Sequence, residues 1–391
     1  MVKNIFGNYL IRYYRKFNSE QEVSGMFKHG ADLEKIRRKY HFKGELIDFS
    51  SNINPFTPEN TVINIIDNIE ELRRYPDIEY IDLRNSIADH IMEYNDESGF
   101  FFNQENVCVG NGATELVYLF MKTVKGKVGV VCPTFSEYRR AASIIGRKHV
   151  EIQMLQTEDG FEYPDFTKPE MEIYKDIEAL FICNPNNPDG KLRNIDKVVD
   201  FCQKNCIKLV VDETFIEFCE NYKEYTALNY SYQNIYVLRA FTKFYGLPGI
   251  RLGYLVSRDS SCVEDMFKLK EPWTINSIAA YLGIDLLKDE KFCEHSRKFY
   301  KDERIFLKKS LEEIPHLRVF DTDSAFMLVK IDDILGMSAR DLKKKLILDY
   351  GIVIRDASNF LGLNSKYFRI AVKRHKDNLL LIESLEEIFK S

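Results

Sequence analysis

The middle of the chain alternates short apolar runs with longer amphipathic stretches, and this alternation constrains the possible folds more than any other feature. Each run has four to six apolar or β-branched residues and stops at Gly, Pro, Asn or Asp, as buried strands do. The stretches between carry apolar residues at helical spacing. The predicted strands are NVCVGNG, KVGVVCPT, IEALFICNP, IKLVVDET and NIYVLRAF, and the predicted helices are TELVYLFMKTV, EYRRAASIIG and NIDKVVDFCQKN. Strands that alternate with helices predict an α/β fold with a mostly parallel central sheet between helices.

The C-terminal part of the chain predicts a second, smaller unit. Its predicted strands are DSAFMLVKI and YFRIAVK, and its predicted helices are ARDLKKKLILDYG and DNLLLIESLEEIFKS. We expect a large domain at residues 76–274 and a smaller α/β domain formed by residues 29–75 and 275–391. Residues 1–28 form an N-terminal arm ahead of both, to which the sequence assigns no role.

Composition excludes several classes of protein. A hydrophobic content of 45% in 391 residues excludes disorder as the main state. A net charge of −5 argues against a nucleic-acid partner, which usually requires a basic excess. No run approaches ~18 consecutive apolar residues, so we expect no membrane span. The apolar stretches of the arm are broken by Asn8, Arg12 and Arg15, which favours a short amphipathic helix over a signal peptide.

The eight cysteines form no C-x-x-C pair. Cys132 and Cys183 lie in predicted strands, which is typical of buried free thiols in a reducing compartment. Cys202 and Cys206 are four residues apart, but no nearby His completes a metal site. We therefore expect a cytoplasmic protein without a bound metal.

Four polar clusters follow predicted strands, where ligands of parallel sheets bind. They are Gly110–Glu115, Asn184–Gly190, Asp212–Glu213 and Arg239–Gly253. The first lies between a strand and a helix, where glycines let the backbone approach an anion and the helix start offers N–H groups. A tight turn is an equally good interpretation of this cluster. It matches neither G-x-G-x-x-G nor a P-loop, which disfavours a dinucleotide or a nucleoside triphosphate.

The other clusters also allow ordinary interpretations. The Asn184–Gly190 segment is a constrained loop. Asp212 is either a helix N-cap or a buried carboxylate that needs a cation or a hydrogen-bond donor. Lys243 is either a solvated lysine or a reactive amine with a lowered pKa, and Arg251 suits a phosphate. Together the clusters supply what a cofactor with a phosphate, a pyridinium nitrogen and an aldehyde requires.

The order of these motifs resembles that of a known family. GNGATE, PTFSEY, NPNNPDG, VVDET, FTKFYGLPGIRLGY and FRIAVK resemble fold-type I pyridoxal 5′-phosphate (PLP) enzymes, aminotransferase class I/II, over residues from about 29 to 375. Within this class the chain is similar to histidinol-phosphate aminotransferases and, more closely, to the threonine-phosphate decarboxylases of cobalamin biosynthesis. The segments typical of the second branch are His29–Ala31, Asp48–Pro55, Pro272–Ser277 and Ile354–Phe360.

The resemblance implies roles toward PLP. Lys243 would bind the cofactor aldehyde and later move protons, Asp212 would pair with the pyridinium nitrogen, and Asn187 would bond the phenolic oxygen. Phe135 would stack on the ring. The residues implied at the cofactor phosphate are Gly112, Ala113, Thr114, Thr242 and Arg251, together with Tyr75 from the other subunit of a homodimer.

The resemblance also implies a site for a phosphorylated amino acid. Arg369 would bind the substrate carboxylate, and the residues expected to help hold the anionic groups are His29, Asn54 and Arg355. Two positions depart from the family pattern. Ala240 stands where relatives usually carry a serine that donates to the cofactor phosphate, so Thr242 would have to substitute. Phe215 stands where aminotransferases of this group usually carry a tyrosine, which weakens the case for ordinary transamination.

We therefore expect decarboxylation of an O-phospho amino acid, L-threonine O-3-phosphate first and O-phospho-L-serine second, to an aminoalkyl phosphate for cobamide biosynthesis. Histidinol-phosphate aminotransferase, with 2-oxoglutarate as amino acceptor, is the alternative. The choice depends on which bond at Cα stands perpendicular to the cofactor ring, and the residue types leave that geometry open. A PLP-binding protein without catalysis is a third interpretation, which the retained Lys243 argues against.

Overall fold

The computed structural model describes residues 30, 32–95, 99–157 and 160–390. Its helices are α1 (Leu33–Tyr40), α2 (Thr61–Asp67), α3 (Ile81–Met92), α4 (Gly112–Thr123), α5 (Glu137–Ile145), α6 (Asp196–Lys204), α7 (Tyr222–Tyr225), α8 (Phe241–Phe244), α9 (Ser260–Leu269), α10 (Ser277–Leu286), α11 (Glu290–Glu312), α12 (Ala339–Tyr350) and α13 (His375–Lys390). Its strands are β1 (Ile47–Asp48), β2 (Val107–Gly110), β3 (Lys127–Cys132), β4 (His149–Gln153), β5 (Leu155–Gln156), β6 (Phe161–Glu162), β7 (Ile177–Cys183), β8 (Lys208–Asp212), β9 (Ile235–Ala240), β10 (Gly253–Ser257), β11 (Leu317–Val319), β12 (Phe326–Ile331), β13 (Ile352–Val353), β14 (Arg355–Asp356) and β15 (Tyr367–Ala371).

A central sheet has the strand order β2-β10-β9-β8-β7-β3-β4. Its neighbours run parallel except at β10, which is antiparallel to both β2 and β9. The five predicted strands correspond to β2, β3, β7, β8 and β9, and the three predicted helices to α4, α5 and α6. Leu209 and Val211 pack into one core and Val210 into the other, so both faces of the sheet are covered. The predicted mostly parallel sheet is confirmed, and β10 is a strand that was not predicted.

The carboxyl ends of β7, β8 and β9 meet at one edge of this sheet. Cys183 lies beside Asp212, and Asp212 lies beside Leu238 in the ladder. The backbone N–H of Asn184 donates to the carbonyl of Asp212 at 2.9 Å. This register brings three of the four polar clusters together, although they are far apart in the sequence.

A second, antiparallel sheet has the order β11-β12-β15-β14. The short strand β1 pairs in parallel with β13, with Ile47 opposite Ile352. The N–H of Ala371 then donates to the carbonyl of Phe49 at 2.9 Å. The N-terminal segment therefore joins the C-terminal part, which confirms a smaller α/β unit built from both. The domain boundaries at residues 75/76 and 274/275 stay a prediction.

Several other expectations concern the whole chain. All eight cysteines are free, and all but the exposed Cys206 are buried, as predicted for Cys132 and Cys183. In the part of the chain that the structure describes, no helix is both long and apolar enough to cross a membrane. The predicted arm at residues 1–28 and the candidate His29 lie outside the described residues.

Candidate active site

A cavity of about 440 Å³ lies where the carboxyl edge of the central sheet meets the C-terminal sheet. Five cationic and two acidic side chains line it: Arg140, Lys243, Arg251, Arg355 and Arg369, and Glu137 and Asp212. One acid, Glu137, is already paired with Arg140 at 3.1 Å. The surplus of positive charge makes the cavity a site for a ligand, or ligands, with several negative charges.

Lys243 lies on α8, the single helical turn that directly follows β9. The sequence predicted a loop here. Burial, together with the positive charges of Arg369 and Arg251, lowers the pKa of the Lys243 amine to about 8. A substantial fraction of the amine is therefore neutral near physiological pH, as a nucleophilic lysine requires.

Asp212 ends β8 at the floor of the cavity. Its Oδ1 accepts a hydrogen bond from the Thr214 N–H at 2.9 Å, and its Oδ2 accepts one from the Tyr138 hydroxyl at 2.5 Å. Burial raises the pKa of this carboxyl, and hydrogen bonds from Thr214 and Tyr138 oppose that rise. The next helical turn begins at Ile216, with Phe215 in the capping position. Asp212 is therefore not a helix cap. It is a buried carboxylate that is satisfied by hydrogen-bond donors, which is the other interpretation that the sequence allowed.

The first turn of α4 forms an anion cradle. Gly112, Ala113 and Thr114 line the cavity there, and the first amide groups of a helix have no partner within it. Gly112 has a φ of +74°, and a Cβ at this position would lie 2.5 Å from Nη2 of Arg251. Glycine is thus what allows the guanidinium to approach the cradle. Thr242 lines the same cavity, beside Ala240.

The Asn184–Gly190 loop is held by its own side chains. Asn184 exchanges two hydrogen bonds with the backbone of Arg193, each at 2.9 Å. The Asn186 amide donates to the carbonyl of Pro133 and to Asp189. Asn187 is left to line the cavity. The loop is rigid, as predicted, because its other asparagines hold it in place.

Arg369 and Arg355 occupy directly opposite positions on β15 and β14. Arg369 donates to Oδ1 of Asn187 at 2.5 Å and to the carbonyl of Ser50 at 2.9 Å. Arg355 donates to Oδ1 of Asn359 at 2.8 Å. Burial, together with the charge of Arg355, lowers the pKa of Arg369 to about 9. Like charges on directly opposite residues destabilise a sheet unless an anion lies between them.

Aromatic rings form the apolar walls of the cavity. Phe135 and Phe360 line it, and Phe215 lines it with its ring edge-on to Phe326 at 4.9 Å. Phe215 has no hydroxyl, so this wall cannot donate the hydrogen bond that a tyrosine would.

Two sequence-predicted residues do not line the cavity of this chain. The Asn54 amide donates to the Phe244 carbonyl at 2.8 Å and to Ser296 at 3.0 Å, and its backbone N–H donates to the Lys243 carbonyl. Asn54 thus supports the turn that carries Lys243, and its contact with substrate stays a prediction. Tyr75 is 79% exposed and lies against Trp273, with ring centroids 4.6 Å apart.

Some cavity residues received no role from the sequence. The Thr134 hydroxyl and the Asn52 side-chain oxygen are buried at the cavity and have no hydrogen-bond partner among the described residues. Tyr138 lies inside the PTFSEY motif, three residues after Phe135, so helical spacing could have placed it beside that ring. No pattern in the sequence around Tyr138 indicates that its hydroxyl reaches Asp212.

The sequence model of the family described as aminotransferase class I and II matches residues 44–385. The chain belongs to the aminotransferase class I and II family. It is 37% identical to a protein of Caldanaerobacter subterraneus subsp. tengcongensis named "Putative threonine-phosphate decarboxylase", over 95% of this chain and 96% of the relative. It is 31% identical to the threonine-phosphate decarboxylase of Salmonella typhimurium, over 88% and 91% of the two chains. Its fold is similar to the crystal structure of the histidinol-phosphate aminotransferase from Clostridium acetobutylicum, with a TM-score of 0.79. The two sequences are 30% identical, and the similarity covers 88% of this chain and 99% of that one.

PLP is the cofactor of this class, and the described residues fit it. Lys243 supplies an amine that is partly neutral, and Asp212 supplies a buried carboxylate in the same cavity. Gly112 keeps the anion cradle open, because a Cβ there would displace Arg251. Family membership thus agrees with the chemistry of the donor set.

Proposed function

We propose that this chain is a PLP-dependent decarboxylase of an O-phospho amino acid, L-threonine O-3-phosphate first and O-phospho-L-serine second. The observation that carries the proposal is the cross-strand pair of Arg355 and Arg369, both lining the cavity. Holding two guanidinium groups on opposite residues is unfavourable unless an anion neutralises them. A substrate with a carboxylate and a phosphate would neutralise both. The similarity to proteins named threonine-phosphate decarboxylase supports the same substrate class.

The cofactor, when bound, supplies an electron sink for the charge that develops at the substrate Cα. In the proposed arrangement, the Lys243 amine would hold the cofactor aldehyde and the Asp212 carboxylate would pair with the pyridinium nitrogen. Asn187 would bond the phenolic oxygen, and Phe135 would stack on the ring. The residues proposed to hold its phosphate are Gly112, Ala113, Thr114, Thr242 and Arg251.

The chain's own residues then determine which bond breaks. We assign the substrate carboxylate to Arg369 and the substrate phosphate to Arg355, with help from His29. Two anchored anions restrict rotation about the bonds at Cα, so they decide whether the carboxylate or the hydrogen stands perpendicular to the ring. Lys243 Nζ would return a proton to Cα after CO2 leaves. A pKa of about 8 suits an amine that must carry and release that proton near neutral pH.

The proposal includes a homodimer with shared active sites. Large apolar side chains are exposed on α2 and on the turn that follows it: Val62, Ile63, Ile66, Ile69 and Leu72. Tyr75 comes next in the chain and is exposed as well. A second copy packed on this surface would bury the apolar patch, and Tyr75 would reach the cofactor phosphate of the partner. The buried free thiols further support a reducing compartment, the cytoplasm.

A product assay tests the proposed reaction. Enzyme, PLP and L-threonine O-3-phosphate are incubated with and without 2-oxoglutarate, and CO2 and glutamate are measured together. We expect CO2 without any need for the keto acid, and repeating the assay with O-phospho-L-serine ranks the substrates. Glutamate formed only with 2-oxoglutarate, and no CO2, would overturn the proposal.

The same assay with histidinol phosphate tests the alternative, which the similarity to the Clostridium acetobutylicum enzyme favours. The Lys243→Ala variant is the blank for both reactions, because it removes the amine without touching either arginine. Glutamate from histidinol phosphate that the blank does not form would identify an aminotransferase.

A further inference from the structure

Tyr138 is a fully buried tyrosine whose hydroxyl reaches the carboxylate at the floor of the cavity. Its Oη donates to Oδ2 of Asp212 at 2.5 Å. Its ring is stacked with Phe181 at 5.4 Å and lies edge-on to Phe135 at 5.8 Å. Tyr138 is on α5, Phe181 on β7 and Asp212 on β8. The position of the hydroxyl is therefore set by packing between separate elements.

Asp212 accepts hydrogen bonds from two different parts of the fold, Thr214 and Tyr138. The backbone N–H of Thr214 holds Oδ1, and Tyr138 holds Oδ2. Two bonds of this kind restrict rotation of the carboxylate about its Cβ–Cγ bond. They also stabilise its charged form, which burial alone disfavours.

The Tyr138 phenol is suited to donate and not to accept. Burial and the adjacent carboxylate raise its pKa well above the ordinary value for tyrosine, so it keeps its proton throughout the working pH range. A protonated phenol facing a carboxylate forms a charge-assisted hydrogen bond, which is stronger than a neutral one.

We propose that Tyr138 is a positioning residue. Its hydroxyl holds the Asp212 carboxylate as an oriented anion that faces the pyridine nitrogen of the cofactor. This inference rests on the proposed role of Asp212 toward PLP. Without the hydroxyl, Asp212 keeps only its hydrogen bonds from Thr214. Its neutral form then gains population, and the proton on the ring nitrogen would lose part of its counter-charge. Tyr138 acts through Asp212 and need not touch substrate.

The chain offers a matched control for this bond. Tyr236 is also fully buried, and its hydroxyl donates to Oδ2 of Asp259 at 2.7 Å. Asp259 caps α9 and does not line the cavity. Tyr236→Phe therefore removes the same kind of tyrosine–aspartate bond from the same sheet, away from the proposed cofactor.

The experiment compares Tyr138→Phe, Tyr236→Phe and Asp212→Ala with the parent enzyme. One measurement is the 15N chemical shift of ring-labelled PLP bound to each protein, which reports protonation of the pyridine nitrogen. The others are the dissociation constant of PLP and the separate values of kcat and KM. For Tyr138→Phe we expect a shift toward neutral pyridine, PLP binding about 10- to 100-fold weaker, and a fall in kcat with KM nearly unchanged. For Tyr236→Phe we expect the parent's shift and an affinity within about twofold.

A double variant tests the route of the effect. If Tyr138 acts through Asp212, Tyr138→Phe should weaken PLP binding much less in the Asp212→Ala background than in the parent. Equal losses in both backgrounds would overturn the inference, as would a parent-like nitrogen shift in Tyr138→Phe. A parent-like shift in Asp212→Ala would instead refute the role proposed for Asp212, and the inference with it.

Discussion

Lys243 and Arg369 are cations that the fold holds in a cavity already rich in positive charge. The pKa of each is lowered by burial first and by neighbouring cations second. Such groups reduce stability in the unliganded chain and favour anions that bind beside them. At the residue scale, the site therefore favours anionic ligands. Two substitutions measure what these cations cost in stability and what they contribute to binding.

Replacing Lys243 with methionine should stabilise the chain without cofactor at pH 7. The pKa of Lys243 is about 8 in the folded chain, and the ordinary pKa of a lysine is 10.5. The unfolded chain therefore binds more protons between these values, and stability rises with pH across that window. Lys243→Met removes this pH dependence. The free energy of unfolding of the variant should therefore exceed that of the parent by roughly 1–3 kcal/mol at pH 7, and the difference should shrink toward pH 10.5. Urea unfolding at pH 7 and pH 10 measures it. Lys122→Met, at an exposed position, is the control. A stability gain in Lys243→Met that does not change with pH would contradict the lowered pKa of Lys243.

Replacing Arg369 with glutamine should weaken substrate binding. The variant would lose the charge-assisted contact proposed to the substrate carboxylate, which is worth about 1.5–3 kcal/mol, so KM should rise about 10- to 100-fold. Steady-state kinetics with L-threonine O-3-phosphate measures this. Arg340→Gln, at an exposed position on α12, should leave KM unchanged. A parent-like KM in Arg369→Gln would mean that the carboxylate binds elsewhere.

At the scale of elements, the site depends on how closely β10 approaches the first turn of α4. A Cβ on Gly253 would lie 2.5 Å from the backbone nitrogen of Ala113 and 3.0 Å from the carbonyl oxygen of Arg239. Backbone atoms on both sides cannot move aside as a flexible side chain would. The glycine that opens β10 therefore sets the distance between the sheet and the anion cradle.

Gly253→Ala should destabilise the fold by about 2–4 kcal/mol and weaken PLP binding, because the strand and the helix must separate. Urea unfolding measures the first effect, and equilibrium dialysis of PLP measures the second. Gly249→Ala is the matched control from the same segment, since a Cβ there meets nothing within 4 Å. Equal stability of the two variants would refute the close packing of β10 on α4.

At the scale of the whole molecule, the exposed apolar surface on α2 and the following turn is the feature that a single chain leaves unexplained. Ile66 is 62% exposed, and Tyr75 lies further along the same segment. The proposed dimer would cover this surface and at the same time bring a tyrosine to the partner's cofactor. Assembly and cofactor binding should therefore depend on each other.

Ile66→Asp should convert the proposed dimer to monomers and weaken PLP binding in parallel. A buried carboxylate without a partner is costly at an apolar interface. Light scattering after size-exclusion chromatography gives the mass, and dialysis gives the PLP affinity. Ile334→Asp is the control, because Ile334 is 85% exposed and lies outside this patch. A parent chain that is already monomeric would remove the basis for the shared site.

Much of this architecture follows from local pattern. Strands β2, β3, β7, β8 and β9 are predictable because a buried parallel strand is a continuous apolar run that ends at a turn residue. β10 was missed because it begins within the polar cluster that carries Arg251. Most of the candidate site was also found from the sequence, since the polar clusters follow strands whose carboxyl ends must meet at one edge.

The sequence by itself thus determined the sheet, the polar edge and the residue types that suit PLP, because these depend on short-range periodicity and on motif order. Only the tertiary structure decided which side chains meet. The bond from Tyr138 to Asp212 joins residues 74 positions apart, and Arg355 faces Arg369 only through the register of β14 and β15. The Asn54 amide likewise bonds to Phe244 and Ser296, which are also distant in the sequence. Such contacts depend on register and packing between distant segments. In a strand such as β14 or β15, a shift of one residue would send every side chain to the opposite face.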